Sequence, residues 1–231
     1  MARVGILGGS FNPVHDGHLR LAEVALARLG LDRVELVPAN QPPHKPGQGL
    51  LPFADRAELC RVAADNAPGL TVNPLEGDRP GPSYTIDTLR LLVRSRPDDA
   101  FTFILGLGQF LQLPQWREGP SLADHADLAV AARPGDLEAA HVRSGHDRSD
   151  GLDAVVRRYW PSAGVLGHRA GMAWQVGGHV VRYLEGDFLV LSASQVRERW
   201  LAREPVSDLV PSAVAAWLDN HAEAVRAAWT A

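Results

Sequence analysis

The 231-residue sequence predicts an α/β fold, a doubly wound parallel sheet of about six strands with a C-terminal helical segment. Short apolar runs alternate with helical patterns along the chain, which is the arrangement of βαβ units. The unusual residues cluster just after those runs, where such a sheet keeps its ligand-binding loops. A chain of 24.9 kDa that is 45% hydrophobic can also bury a core without a disulfide or metal staple. The single cysteine, Cys60, could not close an internal bridge in any case.

Taken in order, Arg3–Leu7 reads as the first strand. His18–Leu29 is a helix with Leu19, Ala22, Leu26 and Leu29 on one face and Gly30 as its stop. Arg33–Val37 is the second strand, and Ala39–Pro52 a polar stretch rich in Pro and Gly. Phe53–Asn66 is the next helix, closed by Pro68, and Leu70–Asn73 the third strand. Thr85–Ser95 is a helix with Ser83 and Thr85 as capping candidates. Ala100–Leu105, Leu128–Ala132 and His179–Leu184 complete the strands, while residues 136–176 read as irregular. Helices over Ser194–Arg203 and Pro211–Trp229 end the chain. No repeat or low-complexity linker intervenes, so residues 1–231 are expected to form one domain, with the helices from about 194 packed on it.

A net charge of −4 and a pI near 6.1 argue against a general nucleic-acid or anionic-membrane binder, but not against small anionic ligands. No apolar run reaches spanning length, and the chain enters Val4–Gly9 directly with no cleavage-site pattern, so a cytoplasmic protein is expected. Of 23 basic residues only Lys45 is lysine, which singles it out in the loop after the second strand.

Gly8-Gly9-Ser10-Phe11-Asn12-Pro13-Val14-His15-Asp16-Gly17-His18 joins the first strand to the first helix. Paired glycines let the backbone approach a ligand, and the helix start beyond them presents free N–H groups suited to phosphate. His15 and His18, three residues apart, lie on one side of the first turn, where both can donate to phosphate oxygens. The sequence is neither a Walker loop nor a dinucleotide fingerprint. A metal reading of the pair lacks a third ligand.

Gly8–His18 resembles the GG(S/T)F(D/N)PxHxGH motif of the nucleotidyltransferase superfamily. Further segments resemble bacterial nicotinate-nucleotide adenylyltransferases: Pro38–Lys45, Ser83–Leu89, Phe103–Gly106 with Leu113–Trp116, Leu191–Arg197 and, more weakly, Ala132–Gly135. The resemblance implies a Rossmann-like fold and transfer of AMP from ATP to nicotinate mononucleotide, with Mg2+ carried on ATP and no protein ligand for it. It implies that His15, His18 and Arg197 are catalytic and that Gly8, Gly9, Ser10, Phe11, Ser192 and Ser194 bind ATP. Asn40, His44, Lys45, Thr85, Trp116 and Arg133 are implied to hold the mononucleotide, with Thr85 near the pyridine carboxylate and Trp116 stacked on the ring. The family's usual aspartate two residues beyond the glycine of the fourth strand is replaced by Gly108. A pantetheine-phosphate or nicotinamide-mononucleotide adenylyltransferase and a non-catalytic nucleotide-binding homologue stay open as alternatives. So does the oligomeric state, a homo-oligomer included.

Overall fold

The computed structural model describes residues 1–43, 49–132, 148–166 and 172–230. The six expected strands are all present: β1 (Arg3–Gly9), β2 (Arg33–Pro38), β3 (Leu70–Val72), β4 (Ala100–Gly106), β5 (Asp127–Ala131) and, last in the chain, β8 (His179–Leu184). They lie side by side and parallel in the order β3-β2-β1-β4-β5-β8. Two further strands, β6 (Gly164–Val165) and β7 (Ala173–Val176), extend the sheet beyond β8 in antiparallel pairing. Strand order reverses between β1 and β4, so the carboxyl ends of these two neighbours flank the crevice in which such sheets bind ligands.

Alternation of side chains along the strands divides the interior into two layers. On β4, Phe103 and Leu105 belong to one layer and Ile104 to the other. Helices α1 (Asp16–Leu29), α2 (Phe53–Ala64) and the C-terminal helices cover one face, burying Leu19, Leu59, Val196 and Val214. Helix α3 (Thr85–Ser95), the short α4 (Leu107–Phe110) and two 3-10 turns, Leu113–Gln115 and Gly119–Asp124, cover the other with Ile86, Leu89, Leu113 and Leu122.

Two expectations need correction. The segment read as irregular contains α5 (Arg148–Tyr159) as well as β6 and β7 among its described residues. The extended C-terminal helix is instead two, α7 (Ser212–Asn220) and α8 (Ala222–Trp229), after α6 (Ala193–Leu201). His221 makes the break, with φ −113° and ψ 25° and its ring stacked on Trp217 at 4.0 Å. The change of direction lets Val225 and Trp229 reach the core. Among the described residues no helix is long and apolar enough to cross a membrane.

Candidate active site

A cleft of about 570 Å3 opens over the carboxyl ends of β1 and β4. One wall comes from the β1–α1 loop and the start of α6, the other from the start of α3 and the turn carrying Trp116. It therefore straddles both helical layers. The elements that the sequence could only align in order are brought together by the strand reversal.

The β1–α1 loop is held from below. Phe11 adopts φ 46° and is 1% exposed, with its ring edge against His18 at a centroid distance of 4.9 Å. His15 caps α1 and is 3% exposed, and the His15 and His18 rings stack at 3.7 Å. The backbone N–H of His15 donates to Nδ1 of His18 over 3.3 Å. Acceptance at Nδ1 leaves the proton of a neutral His18 on Nε2, the tautomer able to donate to a phosphate oxygen. Gly17 between them sits in a tight space, since a Cβ there would stand 3.0 Å from His15 Nδ1 and 3.3 Å from Leu191 and the neighbours would have to give way slightly.

Asn12 ties this loop to distant parts of the chain. Its Oδ1 accepts from the Leu51 N–H at 3.0 Å and the Trp229 indole at 3.2 Å, and its Nδ2 donates to the Gly49 carbonyl at 2.6 Å. Its carbonyl accepts from Arg197 at 2.8 Å, and a second nitrogen of that guanidinium donates to Ser194 Oγ at 3.0 Å. Burial pushes the Arg197 pKa below its ordinary value, yet an arginine starting so high stays cationic at neutral pH. Ser192 caps α6 by accepting from Gln195 N–H at 3.2 Å, and the Gln195 side chain returns the bond to the Ser192 N–H at 2.8 Å.

Of the residues anticipated from sequence, Gly8, Gly9, Ser10, Phe11, His15, His18, Thr85, Trp116, Ser192 and Ser194 line this one cleft. Arg197 stands just behind it through Ser194 and Asn12. Asn40 is turned away, its amide directed to the Gly77 and Arg79 carbonyls at 3.5 and 3.4 Å. His44, Lys45 and Arg133 lie outside the described residues.

The capping expectation for α3 is corrected. Its N-cap is Tyr84, with no side-chain cap. Ser83 Oγ instead accepts from the Gln41 N–H at 3.2 Å, while the Ser83 N–H donates to the Gln41 carbonyl at 2.9 Å. These bonds fix the β2 loop to the α3 wall. Gly108 is exposed on α4 with open space around a would-be Cβ and no left-handed φ, while Gln109 beside it lines the cleft.

Sequence reasoning missed Arg56. It is 1% exposed, and it donates to the carbonyls of Ser10, Ala39, Asn40 and Leu51 at 2.8, 2.7, 3.1 and 2.9 Å. One buried guanidinium thus fastens the β1 and β2 loops together. Burial lowers its pKa from the ordinary value. Its signal was its position on the apolar stripe of α2, three residues after Phe53 and four before Cys60.

The cytidylyltransferase-like family pattern matches residues 6–199. A protein of Syntrophotalea carbinolica named "probable nicotinate-nucleotide adenylyltransferase" is 37% identical over 222 residues, 95% of each chain. A protein of Geobacter metallireducens with the same name is 38% identical over 219 residues, 94% of this chain and 95% of that one. Among solved structures, the nicotinic acid mononucleotide adenylyltransferase of Plasmodium falciparum complexed with NaAD superposes with a TM-score of 0.68 at 15% identity, covering 96% of both chains. That likeness bears on the fold.

Proposed function

The chain belongs to the cytidylyltransferase-like family and, within it, to the nicotinate-nucleotide adenylyltransferases, and from that premise we propose how its cleft carries out the reaction. The chain transfers AMP from ATP to nicotinate mononucleotide, forming deamido-NAD and pyrophosphate in NAD biosynthesis. An oxygen of the mononucleotide's 5′-phosphate forms the new bond to the α-phosphorus of ATP. The bond from that phosphorus to the bridging oxygen of the β-phosphate breaks in line, and pyrophosphate departs with the electron pair. No protein nucleophile takes part. Catalysis consists of positioning and of donors aimed at charge on the α-phosphate and leaving group.

The observation that supports this reading is the stacked His15–His18 pair at the start of α1, in the same cleft as the Ser192-capped start of α6. His18 Nε2 donates to the α-phosphate as charge builds, and His15 holds the loop and the adjoining ring. Gly8, Gly9 and Ser10 let the backbone approach the phosphates. Ser192, Ser194 and Arg197 meet the β- and γ-phosphates at the positive end of α6. Thr85 and Trp116 receive the pyridine ring and its carboxylate on the opposite wall, while Lys45, His44 and Arg133 serve the mononucleotide.

Magnesium enters as part of the ATP substrate and supplies charge neutralisation on its phosphates. The donor set suits that arrangement. Among the described residues no three His, Cys, Asp or Glu side chains converge, and Glu76 is the one carboxylate lining the cleft. Incubation with α-labelled ATP and nicotinate mononucleotide tests the assignment. The label should move into a dinucleotide with the mass of deamido-NAD. Label remaining in ATP, or released as free AMP, contradicts it.

A further inference from the structure

The buried guanidinium of Arg56 stands between two loops that the reaction assigns to different nucleotides. Its Nη1 is shared, donating to the Ser10 carbonyl of the β1–α1 loop at 2.8 Å and to the Ala39 carbonyl after β2 at 2.7 Å. Nη2 reaches the Asn40 carbonyl at 3.1 Å and Nε the Leu51 carbonyl at 2.9 Å, so both ends of the β2–α2 loop are held. All four bonds go to the main chain. What the fork fixes is therefore backbone position.

Neighbouring bonds extend the link in both directions. The Ala39 N–H donates to the Gly9 carbonyl at 2.8 Å. Asn12 repeats the join at the far end of the β2–α2 loop, donating to the Gly49 carbonyl and accepting from the Leu51 N–H. Gln41 exchanges two bonds with Ser83, which carries the contact on to the residues that precede α3. Burying a guanidinium costs free energy that is offset only where its donors are used, and here every nitrogen is engaged. An ammonium would offer three donors from one atom, too compact to bridge three separate segments.

We infer that Arg56 is a positioning residue that couples the two nucleotide sites, so that ATP bound at the β1–α1 loop prepares the β2–α2 loop for the mononucleotide. The inference rests on the adenylyltransferase reading above. A loop must give up conformational freedom when it closes on a ligand. Because one side chain fastens both loops, the first nucleotide orders the second loop as well, and the second nucleotide meets part of that cost already met. By linkage the mononucleotide strengthens ATP binding by the same factor. Arg56 does not itself line the cleft, and it acts through the carbonyls it holds.

The test is calorimetric titration of nicotinate mononucleotide with and without a magnesium-loaded ATP analogue whose α–β bridging oxygen is a methylene, so that no reaction follows. In the unaltered protein the analogue should tighten the mononucleotide by at least about fivefold, and in Arg56→Lys by less than about twofold. A purely structural role would weaken each affinity and lower the melting temperature but leave that factor as it was. A factor undiminished in Arg56→Lys therefore overturns the inference. A second measurement needs no variant: amide exchange at the Gln41 N–H, a residue that does not line the cleft, should slow when the analogue alone is bound. Unchanged exchange there overturns the inference, and it decides alone if Arg56→Lys does not fold. Normal turnover with no coupling in the unaltered protein also overturns it while leaving the adenylyltransferase reading intact. Failure of the unaltered protein to adenylate the mononucleotide with ATP itself overturns that reading.

Discussion

The indole Nε1 of Trp229 donates to Oδ1 of Asn12 over 3.2 Å, joining the end of the last helix to the β1–α1 loop, 217 residues away. Asn12 is 2% exposed, so the bond lies in the interior, where a lost partner is not replaced cheaply by water. The C-terminal helices therefore help set the loop that carries His15 and His18.

Asn12→Ala would leave two donors, the Leu51 N–H and the Trp229 indole, without their acceptor. A destabilisation of about 2–4 kcal/mol is expected, with kcat/KM for ATP falling as the loop loosens. Trp229→Phe keeps an aromatic ring but loses the bond and part of the indole's volume, so a smaller loss of about 1–2 kcal/mol is expected. Denaturant unfolding of both variants checks the ranking, and native-like stability in Asn12→Ala would contradict it.

Stability should also carry a signature of Glu35. Burial alone would raise its pKa, but hydrogen bonds from Arg96 at 2.6 and 2.9 Å, Asn73 at 2.7 Å and Arg33 at 2.9 Å outweigh burial and lower it. A carboxylate depressed in the folded state contributes its full stabilisation above its unfolded pKa, roughly 4.3, and loses it as pH falls through the lower folded value. Glu35→Gln should therefore be less stable at pH 7 by about 2–3 kcal/mol, with the difference shrinking in acid. Melting curves from pH 7 to pH 3 measure this. A gap that widens in acid has the wrong sign.

Gly108→Asp introduces no strain, because the backbone is not left-handed and nothing lies within 4 Å of the new Cβ. The melting temperature should hardly move. If an acceptor at this position serves a nucleotide, KM for at least one substrate should fall, by up to about tenfold. An unchanged KM for both at unchanged stability would mean that the position carries no binding role here.

His18→Ala should reduce turnover by about 10²–10³, with a much smaller effect on nicotinate mononucleotide binding, because its donor meets charge that develops on the ATP side. Single-turnover kinetics with saturating mononucleotide would show it. Near-normal turnover would remove His18 from the mechanism.

The parallel half of the fold was legible because each strand is a short apolar run and each crossover helix carries its own periodicity and stop. The β6–β7 extension was not. Its strands are only two and four residues long, and α5 is rich in charge, so neither pattern stands out. The Gly8–His18 loop was legible from contiguous residues. Arg56 was not, since its place on the buried face of α2 marks it as enclosed but does not say that it meets the carbonyls of two loops. Ser83 misled for a related reason: its hydroxyl is used across the cleft wall, on Gln41, rather than on the helix it precedes.

The most direct test of the central claim is pyrophosphate release from MgATP with nicotinate mononucleotide, nicotinamide mononucleotide or 4′-phosphopantetheine as acceptor. The two stacked histidines and the Trp116 wall predict release that requires an acceptor and is fastest with nicotinate mononucleotide. Release that is fastest with phosphopantetheine, or absent with all three, would contradict the assignment.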